Sequence, residues 1–219
     1  MRPSVPFTDK VVVVTGAAGN LGAAVAASFS SLGASVVPVD LPTNLLDQKA
    51  VDQAVGEIVR QHGKLDVLCN IAGGFRMGKP VHETSDADWN FLFDVNVRTV
   101  LHTARAVVPH MLKAGRGKIV NVGAFAAQRG VAQMGAYTAS KAAVIRLTES
   151  MAAELREKGI NVNCVLPTVL DTPQNRAAMP DADPGRWVAL HDIAAAIVFL
   201  ASDEARAIHG AALPVTGLS

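Results

Sequence analysis

Apolar runs of strand length alternate along the chain with longer stretches in which apolar residues recur at helical spacing. The short runs are KVVVVTG (10–16), SVVPVD (35–40), NLL (44–46), LDVLCN (65–70), GKIVNVG (117–123), INVNCVL (160–166) and AALPV (211–215). Most are continuous and β-branched rather than alternating with polar residues, which fits strands buried on both faces. Between them, helices are predicted near 20–32, 48–62, 86–113, 135–158 and 192–202. Ser85, followed by Asp86 and Asp88, supplies a start signal for the third helix. This alternation demands an α/β fold of about seven parallel strands, doubly wound, with helices on both faces. Gly- and Pro-bearing stretches at 72–80 and 166–186 are predicted as loops at the carboxyl edge of the sheet, where ligands bind in such folds.

A length of 219 residues suits one domain, 1–219, with a full-sized core. Half the residues are hydrophobic and 18% are charged, so the chain packs rather than staying disordered. Its formal net charge of +1 is mixed along the chain, which argues against a nucleic-acid partner. Cys69 and Cys164 lie inside apolar runs and read as reduced, buried thiols; neither a disulfide nor a metal site is expected. No charged residue occurs from Val11 to Val39, a length able to span a bilayer. Gly16, Gly19, Asn20, Gly22, four serines, Gly33 and Pro38 break that stretch, and a strand, turn, helix and second strand explain it better than a membrane helix. MRPSVPFTDK has no apolar leader core, so no signal peptide is expected, and the expected location is a soluble cytoplasmic one.

Chemistry enters with VVVVTGAAGNLGAAVA, a strand, a glycine turn and a helix start. Gly16 permits the tight turn, Gly22 lets the helix pack on the strand, and the exposed N–H groups can hold a pyrophosphate. Asp40 is the first charge after Lys10 and ends the second strand. A carboxylate there can accept both adenosine ribose hydroxyls and would repel a 2′-phosphate, which points to NAD(H) over NADP(H). Further on, Tyr137, the single tyrosine, and Lys141 stand one helical turn apart on one face. Together these features make the fold a Rossmann-type one.

TGAAGNLG, CNIAGG, FDVNV, YTASK, LPTVLDTP and GAALPVTG, in this order and spacing, make the chain resemble the short-chain dehydrogenases/reductases over almost its whole length. The resemblance implies that Tyr137 is the general acid in reduction and the base in oxidation. Lys141 would bind the nicotinamide ribose and lower the tyrosine pKa, since a nearby cation favours a phenolate. Asn96 would hold a water linking Lys141 to solvent. Pro167, Leu170 and Thr172 would meet the nicotinamide. Asn20 and Leu21 belong to the phosphate turn, while Leu41, Asn44, Leu45, Asn70, Ala72 and Gly73 would line the adenosine half. The family also implies a small-molecule substrate and a homo-oligomer, dimer or tetramer, built on the long helices at 86–113 and 135–158.

Several positions depart from the family pattern. Asn20 replaces the middle glycine of the turn, where its tolerance of left-handed backbone would preserve the geometry. Ile71 replaces an asparagine, and Thr168 replaces the glycine after Pro167. The catalytic serine's position is Ala124. Gln128, Gln133 and Thr138 are the nearby candidates for a replacement donor. The stretch PTVLDTPQNRAAMPDADPGRWVAL, the AGGF turn and the alanine itself resemble dihydropteridine reductases, whose quinonoid substrate accepts hydride readily. Phe75 and Trp187 are candidate substrate contacts, and the short stretch after Thr172 predicts an open pocket. A catalytically weak dinucleotide sensor is the non-enzymatic alternative.

Overall fold

Successive valines of β1 (Val11–Thr15) point to opposite sides of the sheet and are buried on both. Val12 and Val14 pack with α1 (Asn20–Ser31) and α7 (Leu190–Ala201) through Val25, Phe29, Ile193 and Ile197. Val11 and Val13 face α2 (Gln48–His62), α4 (Thr99–Ala114) and α5 (Gly135–Leu155) through Val51, Val55, Val107 and Leu155. Each buried valine contributes about 1.5–3 kcal/mol. Two apolar layers enclosing a charge-free strand therefore account for the stretch that mimics a membrane span. Among the described residues, no helix is long and apolar enough to cross a membrane.

The computed structural model describes residues 7–219; the first six residues of the stretch read for a leader lie outside the described residues. β1 joins β2 (Ser35–Val39), β3 (Val67–Asn70), β4 (Gly117–Val122), β5 (Ile160–Pro167) and β6 (Ala212–Val215) in a parallel sheet of order β2-β1-β3-β4-β5-β6. The order reverses between β1 and β3, so their carboxyl ends open the crevice where such sheets bind ligands.

Among the described residues six strands form, not seven. The NLL stretch is a turn: Asn44 Oδ1 accepts from Leu46 N at 3.0 Å, and Asn44 O accepts from Asp47 N at 2.9 Å. Asp47 then caps α2 through Lys49 N at 2.9 Å. A polar turn and a cap leave no room for a strand there, and β2 becomes the sheet's edge, with Pro38 in it.

The helix predicted at 86–113 is two helices, α3 (Asp86–Phe93) and α4, joined by a π-helical turn, Asp94–Arg98. Thr99 N bonds to Asp94 O across that turn. The extra residue rotates Asn96 inward, to 1% exposure. Ser85 caps α3 as its sequence signal predicts, accepting from Asp88 N at 3.1 Å. The loop predicted at 166–186 contains a short helix, α6 (Pro173–Ala178), and a 3₁₀ turn, Pro184–Arg186.

Candidate active site

The glycine turn closes as its sequence requires. Gly16 takes φ +68°, and a Cβ there would lie 2.8 Å from Ala72 N. Gly22 packs so closely that a Cβ would drive into the Gly16 carbonyl. The left-handed residue is thus Gly16, whereas Asn20 opens α1 as an ordinary helical residue. Its tolerance of left-handed backbone is not used. α1 begins at Gly19 with no side-chain cap and no acid in its first turn, which leaves its N-terminal N–H groups and positive dipole end for an anion.

Asp40 reaches this turn from the end of β2, its Oδ2 accepting from Ala18 N at 2.8 Å. A carboxylate has further lone pairs, so Asp40 can still accept from hydroxyls. Thr15 Oγ1 accepts from Ile71 N at 3.1 Å and Ala72 N at 3.2 Å, binding the end of β1 to the loop after β3. Beneath lies a buried chain: Thr103 Oγ1 donates to Asn70 Oδ1, Asn70 Nδ2 to Asn121 Oδ1, and Asn121 Nδ2 to Thr148 Oγ1, at 2.8, 2.8 and 2.9 Å. Leu41 is exposed beyond Asp40, and the Leu45 carbonyl lies 2.9 Å from His102 Nδ1. Asn44 turns its side-chain oxygen back on its own loop.

The second half of the site is assembled on α5. Ser140 Oγ donates to the Tyr137 carbonyl at 2.8 Å and accepts from Asn96 Nδ2 at 3.0 Å. Asn96 also clasps Gly74, accepting from its N at 2.9 Å and donating to its O at 3.0 Å. Lys141 is buried, with Nζ donating to Val122 O at 2.8 Å. Gly73 closes this group: a Cβ there would lie 3.0 Å from Asn96 Oδ1 and 3.2 Å from Lys141 Nζ. The structure thus brings Tyr137, Lys141, Asn96 and Gly73 together at the carboxyl ends of β3 and β4. Ser140, within YTASK, and Thr15, within TGAAG, are polar partners that the sequence reading passed over.

Burial pushes the Tyr137 phenol up to about 12 and the Lys141 ammonium down to about 8, the latter partly offset by Cys164. The expected lowering of the phenol by Lys141 is not seen, because that amine is directed at the Val122 carbonyl. Tyr137 therefore holds its proton at neutral pH.

Ala124 is buried, in extended backbone, and starts the 3₁₀ turn Phe125–Gln128. Of the candidate replacement donors, Gln128 and Gln133 are exposed, and Gln133 has φ +62°. Thr138 points its hydroxyl back at Met134 O and Gly135 O, at 3.0 and 3.2 Å, which removes it as a donor. Phe75 is 53% exposed and packs edge-on against Tyr137, ring centroids 4.8 Å apart. Trp187 is buried, its carbonyl near Gly217. Thr172 caps α6, accepting from Asn175 N at 3.1 Å, and Leu170 O accepts from Asn175 Nδ2 at 2.8 Å. Pro167 ends β5. Thr168 Oγ1 donates to Thr216 O at 2.9 Å.

A wholly parallel doubly wound sheet, a glycine turn at its switch point, and a half-buried Tyr137 with a buried Lys141 one helical turn on define a Rossmann-type protein of the dehydrogenase kind. Residues 10–217 match the family model adh_short_C2, described as enoyl-(acyl carrier protein) reductase. Dehydrogenase/reductase SDR family member 6 of Aquarana catesbeiana is 33% identical over 237 residues, covering 95% of this chain and 96% of the relative. The chain belongs to the short-chain dehydrogenase/reductase family, a family of oxidoreductases. Carveol dehydrogenase from Mycobacterium avium, solved in complex with NAD, superposes with a TM-score of 0.88 at 29% identity, covering 96% of this chain and 97% of that one. An NAD⁺-bound xylitol dehydrogenase also gives 0.88, at 27% identity, covering 96% and 99%.

Proposed function

We propose that the chain is an NAD(H)-dependent oxidoreductase acting on a small carbonyl or alcohol, or on an activated C=N group. The observation that carries this reading is the cluster of Tyr137, Ser140, Asn96, Lys141 and Gly73 opening beside the uncapped start of α1. NAD-bound solved relatives support the same cofactor.

Gly16, Asn20, Leu21 and Gly22 would hold the pyrophosphate, and Asp40 and Leu41 the adenosine ribose and its base, with Asn44, Leu45, Asn70, Ala72 and Gly73 beside them. Lys141, with two N–H groups beyond the one on Val122, would hold the nicotinamide ribose. Pro167, Leu170 and Thr172 would hold the amide. The dinucleotide, when bound, gives or takes the hydride. Tyr137 gives the proton to the substrate oxygen or nitrogen in reduction and removes it in oxidation. Both N–H groups of Asn96 Nδ2 are taken by Gly74 and Ser140, so its side chain acts as a brace, and Oδ1, which accepts from Gly74 N alone, keeps a lone pair for the water that Asn96 would hold. Screening carbonyl and quinonoid pterin substrates with NADH tests the reading; no consumption with any of them, despite NADH binding, would favour a sensor role.

Asp40 should give NADH about 10- to 1,000-fold tighter binding than NADPH, because a second anion beside its carboxylate is repelled. Fluorescence titration of both dinucleotides measures this, and equal or tighter NADPH binding overturns it.

Ala124 is the site of the family's serine donor, and its extended backbone accepts serine without strain. With no donor there, a substrate of high intrinsic electrophilicity is favoured. Phe75, laid edge-on against Tyr137, offers a flat apolar wall, the observation that favours a quinonoid substrate as the second reading. Ala124→Ser should raise kcat/KM on simple ketones by at least about tenfold, toward the 10²–10³ such a donor is worth. An unchanged rate would place the donor elsewhere. For assembly we propose a homo-oligomer through α4 and α5, since Leu101 and Leu112 lie exposed three turns apart on α4.

A further inference from the structure

Asn20 Nδ2 donates to Gln174 Oε1 at 2.7 Å, across 154 residues of sequence. That is short for an N–H···O bond. Asn20 is the first residue of α1, in the position that the resembled family gives to a glycine, so the contact depends on a side chain that the family pattern lacks. Gln174 is the second residue of α6.

α6 is fastened firmly to its own stem. Thr172 caps it, Asn175 Nδ2 holds Leu170 O, and Arg176 grips Asp171 through two bonds of 2.6 and 2.8 Å. None of these reaches the glycine turn. Among the described residues, the Asn20–Gln174 bond alone ties α6 to the opposite side of the crevice by hydrogen bonding. Both side chains are exposed, so water competes for the bond and it can open without a buried group being left unpaired.

We infer that Asn20 and Gln174 form a latch over the crevice and set how fast dinucleotide leaves. This rests on the dinucleotide reading above. The two segments it joins are those proposed to hold the pyrophosphate and the nicotinamide amide. The stem bonds make α6 move as a unit with 170–172, so freeing Gln174 frees that whole wall. The latch uses only the Asn20 side chain, whereas its main-chain N–H is the group proposed for the pyrophosphate and survives in Asn20→Ala; Gln174 is a positioning residue, and neither side chain meets the reacting atoms.

The test measures NADH dissociation by stopped-flow displacement in wild type, Asn20→Ala, Gln174→Ala and the double variant. Each single substitution should raise koff about 3- to 10-fold, the range a neutral exposed hydrogen bond supports. The double variant should match the singles rather than multiply them. Without nucleotide, amide hydrogen exchange over 174–178 should quicken in all three variants. Wild type that binds no NADH overturns the dinucleotide reading and the latch with it. Normal NADH binding with unchanged koff in the singles, or multiplied effects in the double, overturns the latch alone.

Discussion

Tyr137→Phe should lower kcat by at least about 10³-fold while leaving the NADH dissociation constant within about twofold of wild type. The substitution removes one hydroxyl and nothing else that holds the site. Phe75 packs at nearly a right angle to the ring, which phenylalanine keeps, and Ser140 bonds to the main-chain carbonyl of residue 137, so both contacts survive. Proton transfer by a positioned side chain is worth about 10²–10⁴ in rate, and here the phenol is the proposed donor, with no neighbouring hydroxyl at Ala124 to share the task. The direction of reaction is affected as well. Burial holds the phenol up at about 12, so it carries its proton throughout the neutral range and reduction starts with the acid loaded. Oxidation needs the phenolate, whose population grows about tenfold per pH unit below that value. Oxidative kcat/KM in wild type should therefore climb with pH across the neutral range. Kinetics in both directions between about pH 6 and 10 check this. Turnover retained by Tyr137→Phe would remove the residue from the mechanism.

Gly22→Ala should abolish measurable NADH binding, a loss of about 100-fold or more, and lower the denaturant midpoint. The added methyl would drive into the Gly16 carbonyl and lie 2.6 Å from Gly16 C and 2.7 Å from Ala17 Cα. All three atoms are backbone, so no side chain can swing aside, and overpacking of this kind costs about 1–3 kcal/mol or more. Gly16 has little room on its other side, where even a Cβ built on it would lie 2.8 Å from Ala72 N. Either the turn opens or α1 lifts from β1, and each displaces the N–H groups proposed to bind pyrophosphate. Gly56→Ala is the control: the glycine lies inside α2 with nothing within 4 Å of the added carbon, and should stabilise by about 0.5–1 kcal/mol. Wild-type NADH affinity in Gly22→Ala would overturn the placement of the site.

The strands were legible because a parallel strand buried on both faces favours an unbroken β-branched run, and Val11–Val14 can hardly be read otherwise. The Tyr137–Lys141 pair was legible because helical spacing alone puts the two on one face. NLL misled because two leucines look like a strand, while the deciding forces are the side chain of Asn44 and the cap at Asp47. The π turn at Asn96 was hidden because apolar periodicity is too coarse to register one extra residue. Lys141 was read as tuning the phenol, yet its partner is a main-chain carbonyl, which no sequence pattern displays. Asn20 and Gln174 are two exposed polar residues whose meeting is purely tertiary.

Thr15 carries a mechanical consequence. By accepting from both Ile71 N and Ala72 N, one hydroxyl rivets the β1 turn to the loop after β3, and β1 is also paired with β3 along its length. The floor of the crevice is then a fixed jaw that cannot split between its two strands. On the latch proposal, opening comes from the wall bearing α6, so a ligand would enter and leave along one side rather than through a symmetric gape.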